Sequence, residues 1–595
     1  MSNNWNLDDL YLGFNDAKFL SDLKYGENIK QKYDRLVQDL FKNHQNEVAS
    51  IELFLTNLIE DTKLIRKLQA YGQLSFSTNS KSQDALTLKS KVQRILSDMT
   101  ASSVAFKLWL VKAADLDVLC EKSPIIAQHA FYLKELKSST THMLSPEEEV
   151  LASKLTSTGS MAWETLQSKA SSQLMGEVTL NGETKSLPIM SIRNLAFSPD
   201  PEVRKQGYHS ELIAYEQHAE ISAAALNGIK GEVLTLSAMR GFESPLHETL
   251  FNARMTPEIL EAMRTSMEAY LPEFRRYLKL KSKFLGNEGA LPFYDLFAPV
   301  ATIDRDFTID EAHTFIVKYF GDFSEELSSF ADHCFKAKWI DFEPAEGKVG
   351  GAFCSNIPSI KQSRVLLNFT GKLKNVLTIA HELGHAFHGD RIMSESILNT
   401  TYPMPLAETA SIFCETIVRN AVLEDADDDL KLAILENSLS SATQVIVDIL
   451  SRYYFETEIF EIRKDHPLSV DELKNVMISA QKKAYGDGLD HDALHPFMWL
   501  NKTHYYYASR NFYNFPYAFG LLFATGLYTK YLDNPKQFVP AYDDMLRATG
   551  KNDIHTVCAL MEIDPTLQDF WNASLDKIKE DVDAFEAIIN RKLSF

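Results

Sequence analysis

The segment 376–388, Val-Leu-Thr-Ile-Ala-His-Glu-Leu-Gly-His-Ala-Phe-His, constrains the fold more than any other part of the sequence. Its apolar residues recur nearly all the way round a helix, which predicts a helix that is buried in the protein. His381 and His385 are four residues apart, so a helix presents both imidazoles on one face. Buried histidines and a buried Glu382 need partners, and a zinc ion between the two imidazoles would supply one.

The order of residues in this segment also indicates a chemistry. In an H-E-x-x-H pattern, the glutamate lies next to a metal held by the two histidines, where it can act as a general base on water. This is the arrangement of a metallopeptidase. The pattern also arises by chance on solvated helices, in roughly a few per cent of chains of this length. The apolar surroundings of this helix favour the metal site over a chance match.

A catalytic zinc site typically has three protein ligands and one open position, so a third ligand must lie elsewhere. The metzincin pattern would place glycine and histidine where this chain has His388 and Arg391, which excludes that class. The segment 405–416 is helical in pattern and predicts Glu408 and Glu415, seven residues apart, on one face among apolar residues. Either carboxylate could complete the site.

The rest of the chain predicts a mostly α-helical protein. Residues 19–169 show apolar spacings of three and four with few glycine or proline interruptions, and the same pattern resumes over 201–285. At 595 residues the chain is too long for one ordinary domain, so we expect a helical architecture with two lobes.

A hairpin signal separates the two helical regions. Residues 176–188 carry β-branched residues on both sides of Asn181–Gly182, a strong indication of a two-residue hairpin turn. A helix-capping sequence follows at 198–202. We therefore expect a boundary near residue 195, with an amino-terminal helical lobe over 1–195 and a catalytic domain over 196–595.

Two short strands are predicted just before the H-E-x-x-H helix, at 347–355 and 364–369. Peptidases commonly bind an extended substrate as an additional strand on an exposed sheet edge. Gly350 and Gly351, with Ala352 beside them, would let a peptide backbone approach closely. A bulge or a turn would explain the same glycines equally well.

Composition limits the partners and the compartment. The chain has 61 basic and 81 acidic residues, a net charge of −20, which disfavours nucleic acid and anionic membranes as partners. Its five cysteines are odd in number and dispersed, as expected for free thiols in a reducing compartment. The amino-terminal residues 1–10 lack the basic start and apolar run of a signal peptide, and no apolar stretch reaches the ~18 residues of a membrane span. We expect a cytoplasmic protein.

Three motifs together resemble the oligoendopeptidase F branch of the thimet oligopeptidase family. They are Gly-Gly-Ala-Phe-Cys at 350–354, Thr-Ile-Ala-His-Glu-Leu-Gly-His-Ala-Phe-His at 378–388, and Leu-Ala-Glu-Thr-Ala-Ser-Ile-Phe-Cys-Glu at 406–415. The similarity extends from Trp5–Tyr11 to the tyrosine-rich carboxy-terminal region, essentially the whole chain. It implies a two-lobed helical zinc endopeptidase with a small sheet beside the zinc, a deep substrate channel and short oligopeptides as substrates.

The resemblance also implies roles for individual residues. One zinc ion per chain would be bound by His381, His385 and Glu408, and Glu382 would serve as general base and then general acid. This selects Glu408 as the third ligand and leaves Glu415 as a candidate to orient a ligand histidine through its second ring nitrogen. A structural contact between helices is an equally good explanation for Glu415.

The tyrosine-rich segment 504–520 is expected to contribute the remaining groups. In the resembled family, a histidine and tyrosines of this region bind substrate or stabilise the oxyanion. Asn514 and Pro516 interrupt the denser tyrosine run typical of the branch, which leaves the individual tyrosine roles open. His388 is expected to face substrate or to be a hydrogen-bonded neighbour, since a fourth ligand would close the site. We predict catalytic roles for His504, Tyr513 and Tyr517, and a substrate contact for Tyr507.

Two other functions are compatible with parts of this pattern. A metallocarboxypeptidase could carry the same H-E-x-x-H helix, although it would need a fixed cation for the substrate carboxylate. A peptide-binding protein without catalysis would not require His381, Glu382, His385 and Glu408 to be intact, as they are here.

Overall fold

A computed structural model describes residues 4–42, 46–180, 182–301 and 306–594. Of the features considered above, residues 1–3 of the amino terminus and Asn181 of the hairpin turn lie outside these ranges. The protein is 73% helical with small sheets, which confirms the mostly α fold. Among the described residues, no helix has the combination of length and apolar composition that crossing a bilayer demands.

The described residues form 25 α-helices and five β-strands. The first helices are α1 (Ala17–Glu27), α2 (Ile29–Lys42), α3 (Glu47–Thr78), α4 (Gln83–Lys112), α5 (Leu116–Lys122), α6 (Pro124–Gln128), α7 (Ala130–Ser139), α8 (Pro146–Thr158), α9 (Ser160–Ser172), α10 (Ile189–Asn194), α11 (Pro201–Met239), α12 (Pro245–Asn252) and α13 (Pro257–Phe284). The others are α14 (Ile309–Phe323), α15 (Glu325–Lys336), α16 (Leu373–Ile392), α17 (Thr409–Asp425), α18 (Asp428–Thr443), α19 (Ile449–Arg463), α20 (Val470–Tyr485), α21 (Met498–Asn501), α22 (Phe515–Asp533), α23 (Pro535–Ala548), α24 (Ile554–Ala559) and α25 (Gln568–Leu593). The strands are β1 (Met175–Leu180), β2 (Glu183–Pro188), β3 (Ile340–Asp341), β4 (Phe353–Ile357) and β5 (Gln362–Leu366).

One compact unit comprises Met1–His142, Asp304–Ala421 and Lys530–Ile563. Its amino-terminal helices α1 to α4 pack on one another around an apolar core. In this core the rings of Phe54 and Phe106 stack with centroids 3.7 Å apart. The same core includes Ile357 of β4 and Leu366 of β5, so the amino-terminal helices support the small sheet.

The small sheet has the strand order β3-β5-β4, with β4 antiparallel and β3 parallel to β5. Within the described part of the chain, β4 has one strand partner and forms an edge. The strand predicted at 347–355 begins later, at Phe353, because Gly347 and Gly351 adopt positive φ angles of 81° and 82° and turn the chain. Val349 N–H donates to the Ser77 carbonyl oxygen at 2.9 Å, which fixes this turn on the end of α3.

The other compact unit comprises Met143–Ile303, Val422–Thr529 and Asp564–Phe595. Its longest element is α11, whose 39 residues extend for about 58 Å and pack against α9, α10, α19 and β1. Helix α25 lies along both α13 and α18. Residue 195 falls inside this unit, so the division into 1–195 and 196–595 stays a prediction.

Two local signals of the sequence are confirmed in this second unit. Strands β1 and β2 pair antiparallel with Leu180 opposite Glu183, which leaves a two-residue turn. Gly182 in that turn has φ 81°, the left-handed conformation that such turns require. Helix α11 begins after Asp200, whose side chain accepts a hydrogen bond from Glu202 N–H at 2.9 Å.

A buried ion pair between α11 and α19 gives a test of this packing. Lys230 Nζ lies 2.7 Å from Glu456 Oε1, and both side chains are 2% exposed. The substitution Glu456→Gln leaves the ammonium buried without a counter-charge, so we expect the free energy of unfolding to fall by about 3–5 kcal/mol in urea titrations. The matched control is Glu461→Gln on the same helix, whose partner Lys464 is exposed, with an expected change below about 1 kcal/mol. Equal losses in the two variants would contradict the prediction.

Candidate active site

Helix α16 carries the H-E-x-x-H motif and is buried as the sequence predicts. Ile379, Ala380 and Leu383 have no exposed surface. His381 and His385 project from one face, with ring centroids 4.9 Å apart. The spacing of the motif therefore brings two imidazoles together at the surface of an otherwise enclosed helix.

Glu408 approaches both imidazoles from the start of the next long helix. Its Oε2 atom lies 3.3 Å from Nε2 of His381 and 3.4 Å from Nε2 of His385. The sequence predicted that Glu408 lies inside a helix, whereas α17 begins at the next residue, Thr409. The Glu408 carbonyl oxygen accepts the first hydrogen bond of this helix, from Ile412 N–H at 3.1 Å. Ser411 Oγ donates to Glu408 Oε2 at 2.8 Å and so holds the carboxylate in place.

The three side chains fit a metal ion. Their ligand atoms all lie within 4.8 Å of one another. Burial lowers the pKa of His381, but its hydrogen bonds to Glu408 and Glu415 outweigh this and raise it to about 10. Burial raises the pKa of Glu408, but hydrogen bonds from His381 and His385 bring it below its ordinary range. The centre therefore stabilises positive charge, and two nitrogens with one carboxylate oxygen form a donor set that suits zinc.

Glu415 contacts the outer nitrogen of His381, one of the candidate metal ligands. Its Oε2 atom lies 3.1 Å from Nδ1 of His381. A carboxylate at this position fixes the ring orientation and leaves Nε2 to bind the metal. Of the two explanations open in the sequence for Glu415, this contact fits the orienting one.

Glu382 is a residue of α16, and its side chain contacts the edge strand β4. Only 6% of the residue is exposed, and burial raises the pKa of its carboxyl group, with the two histidines opposing that shift. The backbone of Cys354 on β4 donates a hydrogen bond to this carboxylate. Glu382 Oε2 is buried without a hydrogen-bond partner among the described residues. A buried polar atom without a partner is unusual in a native protein and indicates a place where function can be sought.

Glycine makes the close packing of α16 possible. A Cβ atom on Gly384 would contact the Ala410 carbonyl oxygen and lie 2.6 Å from Ser411 Cα, so only glycine lets the first turn of α17 approach this near. On the next turn, a Cβ atom on Gly389 would collide with Asn356. Asn356 Nδ2 also donates to the His385 carbonyl oxygen at 3.2 Å, which ties β4 to the ligand helix.

Sequence reasoning missed Ser411, Gly384 as a packing residue, and Asn356. Residues three apart at the start of a helix are neighbours, so the position of Ser411 three residues after Glu408 could have suggested their contact. Gly384 inside a buried helix could have suggested a close approach of backbone. No sequence signal pointed to Asn356.

His388 is fully buried. Its Nε2 atom lies 2.8 Å from Thr549 Oγ1, and its ring stacks on Tyr402 with centroids 4.2 Å apart. Burial lowers the pKa of His388 to about 3, with a further contribution from His385, so the ring is neutral. A substrate contact does not fit this placement, because no surface of the ring is open. The alternative, a hydrogen-bonded neighbour of the site, does fit.

Gly350, Gly351 and Ala352 lie immediately before β4. A Cβ atom on either glycine would meet no atom within 4 Å, so there is open space beside this backbone. Gly351 also has φ 82°, and its carbonyl oxygen accepts a hydrogen bond from Asn368 Nδ2 at 2.8 Å. The glycines therefore form a turn, and the space beside them could also admit a peptide.

Four residues of the tyrosine-rich segment were predicted to belong to the site, and the structure places their rings close together within the second unit. The His504 ring centroid lies 6.1, 5.3 and 6.1 Å from those of Tyr507, Tyr513 and Tyr517. Tyr505 and Tyr506 are buried instead. Burial, and then the charges of Arg452, Lys502 and Arg510, lower the pKa of His504 to about 4, so its imidazole is neutral at neutral pH.

Comparison with known proteins identifies the family. The model of peptidase family M3 matches residues 194–577, and the model named Oligopeptidase F matches residues 110–175. The chain belongs to peptidase family M3. This M3 peptidase is a metalloendopeptidase that cleaves oligopeptides, as the resemblance implies. Its family favours this activity over the carboxypeptidase and the non-catalytic alternatives.

Individual relatives support the assignment along most of the chain. Group B oligopeptidase PepB of Streptococcus agalactiae is 25% identical over 558 residues, which are 91% of this chain and 90% of the relative. Oligopeptidase PepF of Bacillus subtilis is 25% identical over 464 residues, 77% of this chain and 68% of that protein. The crystal structure of oligoendopeptidase-F from Enterococcus faecium has the same fold, with a TM-score of 0.68, 19% identity, and 95% and 99% of the two chains covered.

The packing at Gly384 predicts that this M3 peptidase loses metal when a methyl group is added there. In Gly384→Ala, the first turn of α17 must shift away from α16, so we expect Glu408 to move and zinc affinity to fall at least tenfold in competition with a chelator. The matched control is Gly321→Ala on α14, where the nearest atom to an added Cβ is 3.5 Å away, and its zinc affinity should not change. Wild-type affinity in Gly384→Ala would show that the close approach is not required.

The contact between Glu415 and His381 predicts a second loss of affinity. The substitution Glu415→Gln removes the charge on the outer nitrogen of the ligand, and we expect zinc affinity to fall by about 10–100-fold. Glu424→Gln alters an exposed carboxylate of the same helix and should leave the affinity unchanged. If both variants bind zinc as the wild type does, Glu415 serves only helix packing.

Proposed function

We propose that the protein binds one zinc ion per chain through His381, His385 and Glu408, and that it uses this site to hydrolyse internal bonds of short peptides. The convergence of these three ligand groups within 4.8 Å carries the proposal. When bound, zinc would acidify water and polarise the substrate carbonyl group. The family membership supports a catalytic metal at this site.

We assign general-base and general-acid catalysis to Glu382. Its unpartnered Oε2 atom can take a proton from the attacking water and then deliver it to the leaving amine. Burial supports this role, because it raises the pKa of the carboxyl group above its ordinary value and so makes the carboxylate a better proton acceptor. The hydrogen bond from Cys354 holds the other part of the carboxylate on the strand.

The tyrosine-rich segment would stabilise the negative charge that develops on the carbonyl oxygen. We propose His504, Tyr513 and Tyr517 as donors and Tyr507 as a substrate contact. A neutral imidazole and phenol groups can donate hydrogen bonds without adding a fixed charge. The low pKa of His504 and the grouping of these four rings support this assignment.

Substrate peptides would bind along the edge strand β4. Gly350 to Ala352 lie at its start, and the backbone of Cys354 contacts Glu382, so a peptide on this edge would pass next to the general base. Main-chain hydrogen bonds of this type tolerate varied side chains. A deep channel that admits only short peptides, as the family resemblance implies, would restrict substrate length.

The segment 196–595 is proposed as the catalytic domain, since it includes every ligand and donor named above, and the start of the family match at residue 194 supports it. The five cysteines, which all lie in the described ranges, are free thiols, and this supports a cytoplasmic location. The net charge of −20 supports the absence of nucleic-acid and membrane partners.

Substitution of Glu382 tests the proposed chemistry. We expect the wild type to cleave an internal bond of a short peptide that is acetylated at one end and amidated at the other, and a chelator to abolish this cleavage. The variant Glu382→Gln keeps the donor atoms for zinc, so its metal content should be unchanged while kcat falls by about 10²–10⁴-fold. The exposed-site variant Glu424→Gln should retain full activity. Two results would refute the assignment: cleavage by Glu382→Gln at the wild-type rate, or no cleavage of the blocked peptide by any form of the protein.

A further inference from the structure

The compact unit that contains the metal centre also contains a cavity beside the edge strand β4. Its volume is about 470 Å³, within the roughly 300–1,000 Å³ range of ligand pockets. Residues of α3 and α4 line one side of it, and Ser355 and Asn356 of β4 line the other. All of its lining residues belong to this one unit, so the cavity is formed by this unit alone.

Among the described residues, two cationic side chains line the cavity and no acidic side chain does. Arg66 of α3 donates to Thr400 Oγ1 at 2.9 Å and to Thr401 Oγ1 at 2.8 Å. Lys89 of α4 has its Nζ atom 4.1 Å from the centre of the Phe76 ring. These partners are neutral, and within the described ranges neither cation forms an ion pair with a carboxylate.

The positive charge at this cavity is therefore not balanced by the protein. A guanidinium group has five N–H donors, of which the two threonines accept two, and the ammonium group of Lys89 has three more. Burial lowers the pKa of Arg66, and no carboxylate opposes that shift. The chain as a whole has 81 acidic and 61 basic residues, so a cavity with two cations and no acid departs from its general composition. A cavity lined by one sign of charge attracts ligands of the opposite sign.

The cavity lies close to the proposed general base along β4. The backbone of Cys354 contacts Glu382, and Asn356, two residues further along the strand, lines the cavity. A strand rises by about 3.3 Å per residue, so the cavity begins within about 7 Å of this contact. A peptide bound in an extended conformation beside β4 would therefore reach the cavity while its scissile bond is near Glu382.

We propose that this cavity is a substrate subsite in which Arg66 and Lys89 bind a carboxylate group of the peptide. The proposal rests on the path of the peptide along β4 that is proposed above. Charge-assisted hydrogen bonds from two cations favour an ionised carboxylate over an amide of the same shape. The other polar side chains that α3 and α4 contribute, Gln69, Gln73 and Gln93, are neutral and do not repel it. The carboxylate belongs either to an acidic side chain close to the scissile bond or to the carboxy terminus of the peptide.

Cleavage of paired peptides by the zinc-loaded full-length protein tests the proposal. The first series is blocked at both ends and carries either Glu or Gln at one position, which is varied along each side of the scissile bond. We expect kcat/KM to be at least tenfold higher for Glu than for Gln at one of these positions, mainly through a lower KM. The second series compares a free with an amidated carboxy terminus. A preference for the carboxylate in either series supports the subsite and identifies the source of the group.

Substitutions of the two cations test whether they cause the preference. Arg66→Gln and Lys89→Gln should each lower the ratio of kcat/KM between the carboxylate peptide and its amide partner at least threefold. Arg66→Lys keeps the charge and should retain most of this ratio. A general loss of activity cancels in the ratio, so a merely structural effect of a substitution would not change it. Lys89→Glu should lower the ratio further than Lys89→Gln, because it places a like charge beside the carboxylate.

The control variant is Arg94→Gln, which removes an exposed charge of α4 outside the cavity and should keep the wild-type ratio and activity. Melting temperatures verify that each variant is folded, and if Arg66→Gln is unfolded, the two Lys89 variants decide. Equal cleavage of the paired peptides by the wild type in both series would overturn the subsite and leave the peptidase function intact. A ratio that stays unchanged in all folded variants of the two cations would do the same. If no peptide of either series is cleaved, the proposed function fails and the subsite fails with it.

Discussion

The metal centre depends on the contact of two helix backbones at Gly384. Three ligands can converge only if the start of α17 lies against the face of α16 that carries the two histidines. A side chain at position 384 would occupy the space of the Ala410 carbonyl oxygen and of Ser411 Cα. The glycine of the H-E-x-x-H motif therefore determines where Glu408 can be. Ser411 then fixes the direction of the Glu408 carboxylate through a hydrogen bond. The same contact between the two helices therefore sets both their packing and the geometry of the candidate ligands.

The position of the proposed general base depends on a different part of the chain. Glu382 contacts the backbone of β4, and β4 is held to α16 by Asn356. The sheet is in turn part of the apolar core formed by the amino-terminal helices, through Ile357 and Leu366. Residues within the first 142 positions thus support the position of Glu382, the proposed general base. This explains in physical terms why one compact unit is assembled from distant stretches of sequence.

The sequence predicted what depends on periodicity and on fixed spacing. The buried helix α16, the hairpin turn at Gly182 and the start of α11 are confirmed, because each is set by residues close together in the chain. The predicted start of β4 was six residues too early, since Gly351 turns the chain, and Glu408 lies one residue before α17 instead of inside the helix. Asn356 could not be predicted, because its role depends on a contact between a strand and a helix distant in sequence.

Charge balance explains why the site needs carboxylates beyond the ligand set. Burial disfavours both an imidazolium ion and a bound dication, so negative charge must be near. Glu408 provides one charge at the ligand atoms and Glu415 a second at the outer nitrogen of His381. A bound dication and these two carboxylates together would have no net charge. The carboxylate of Glu382 is therefore not needed to balance the charge of the metal. The proposed general base would therefore be free to change its protonation state, and burial raises the pKa of its carboxyl group. His388 adds no charge, because burial keeps it neutral.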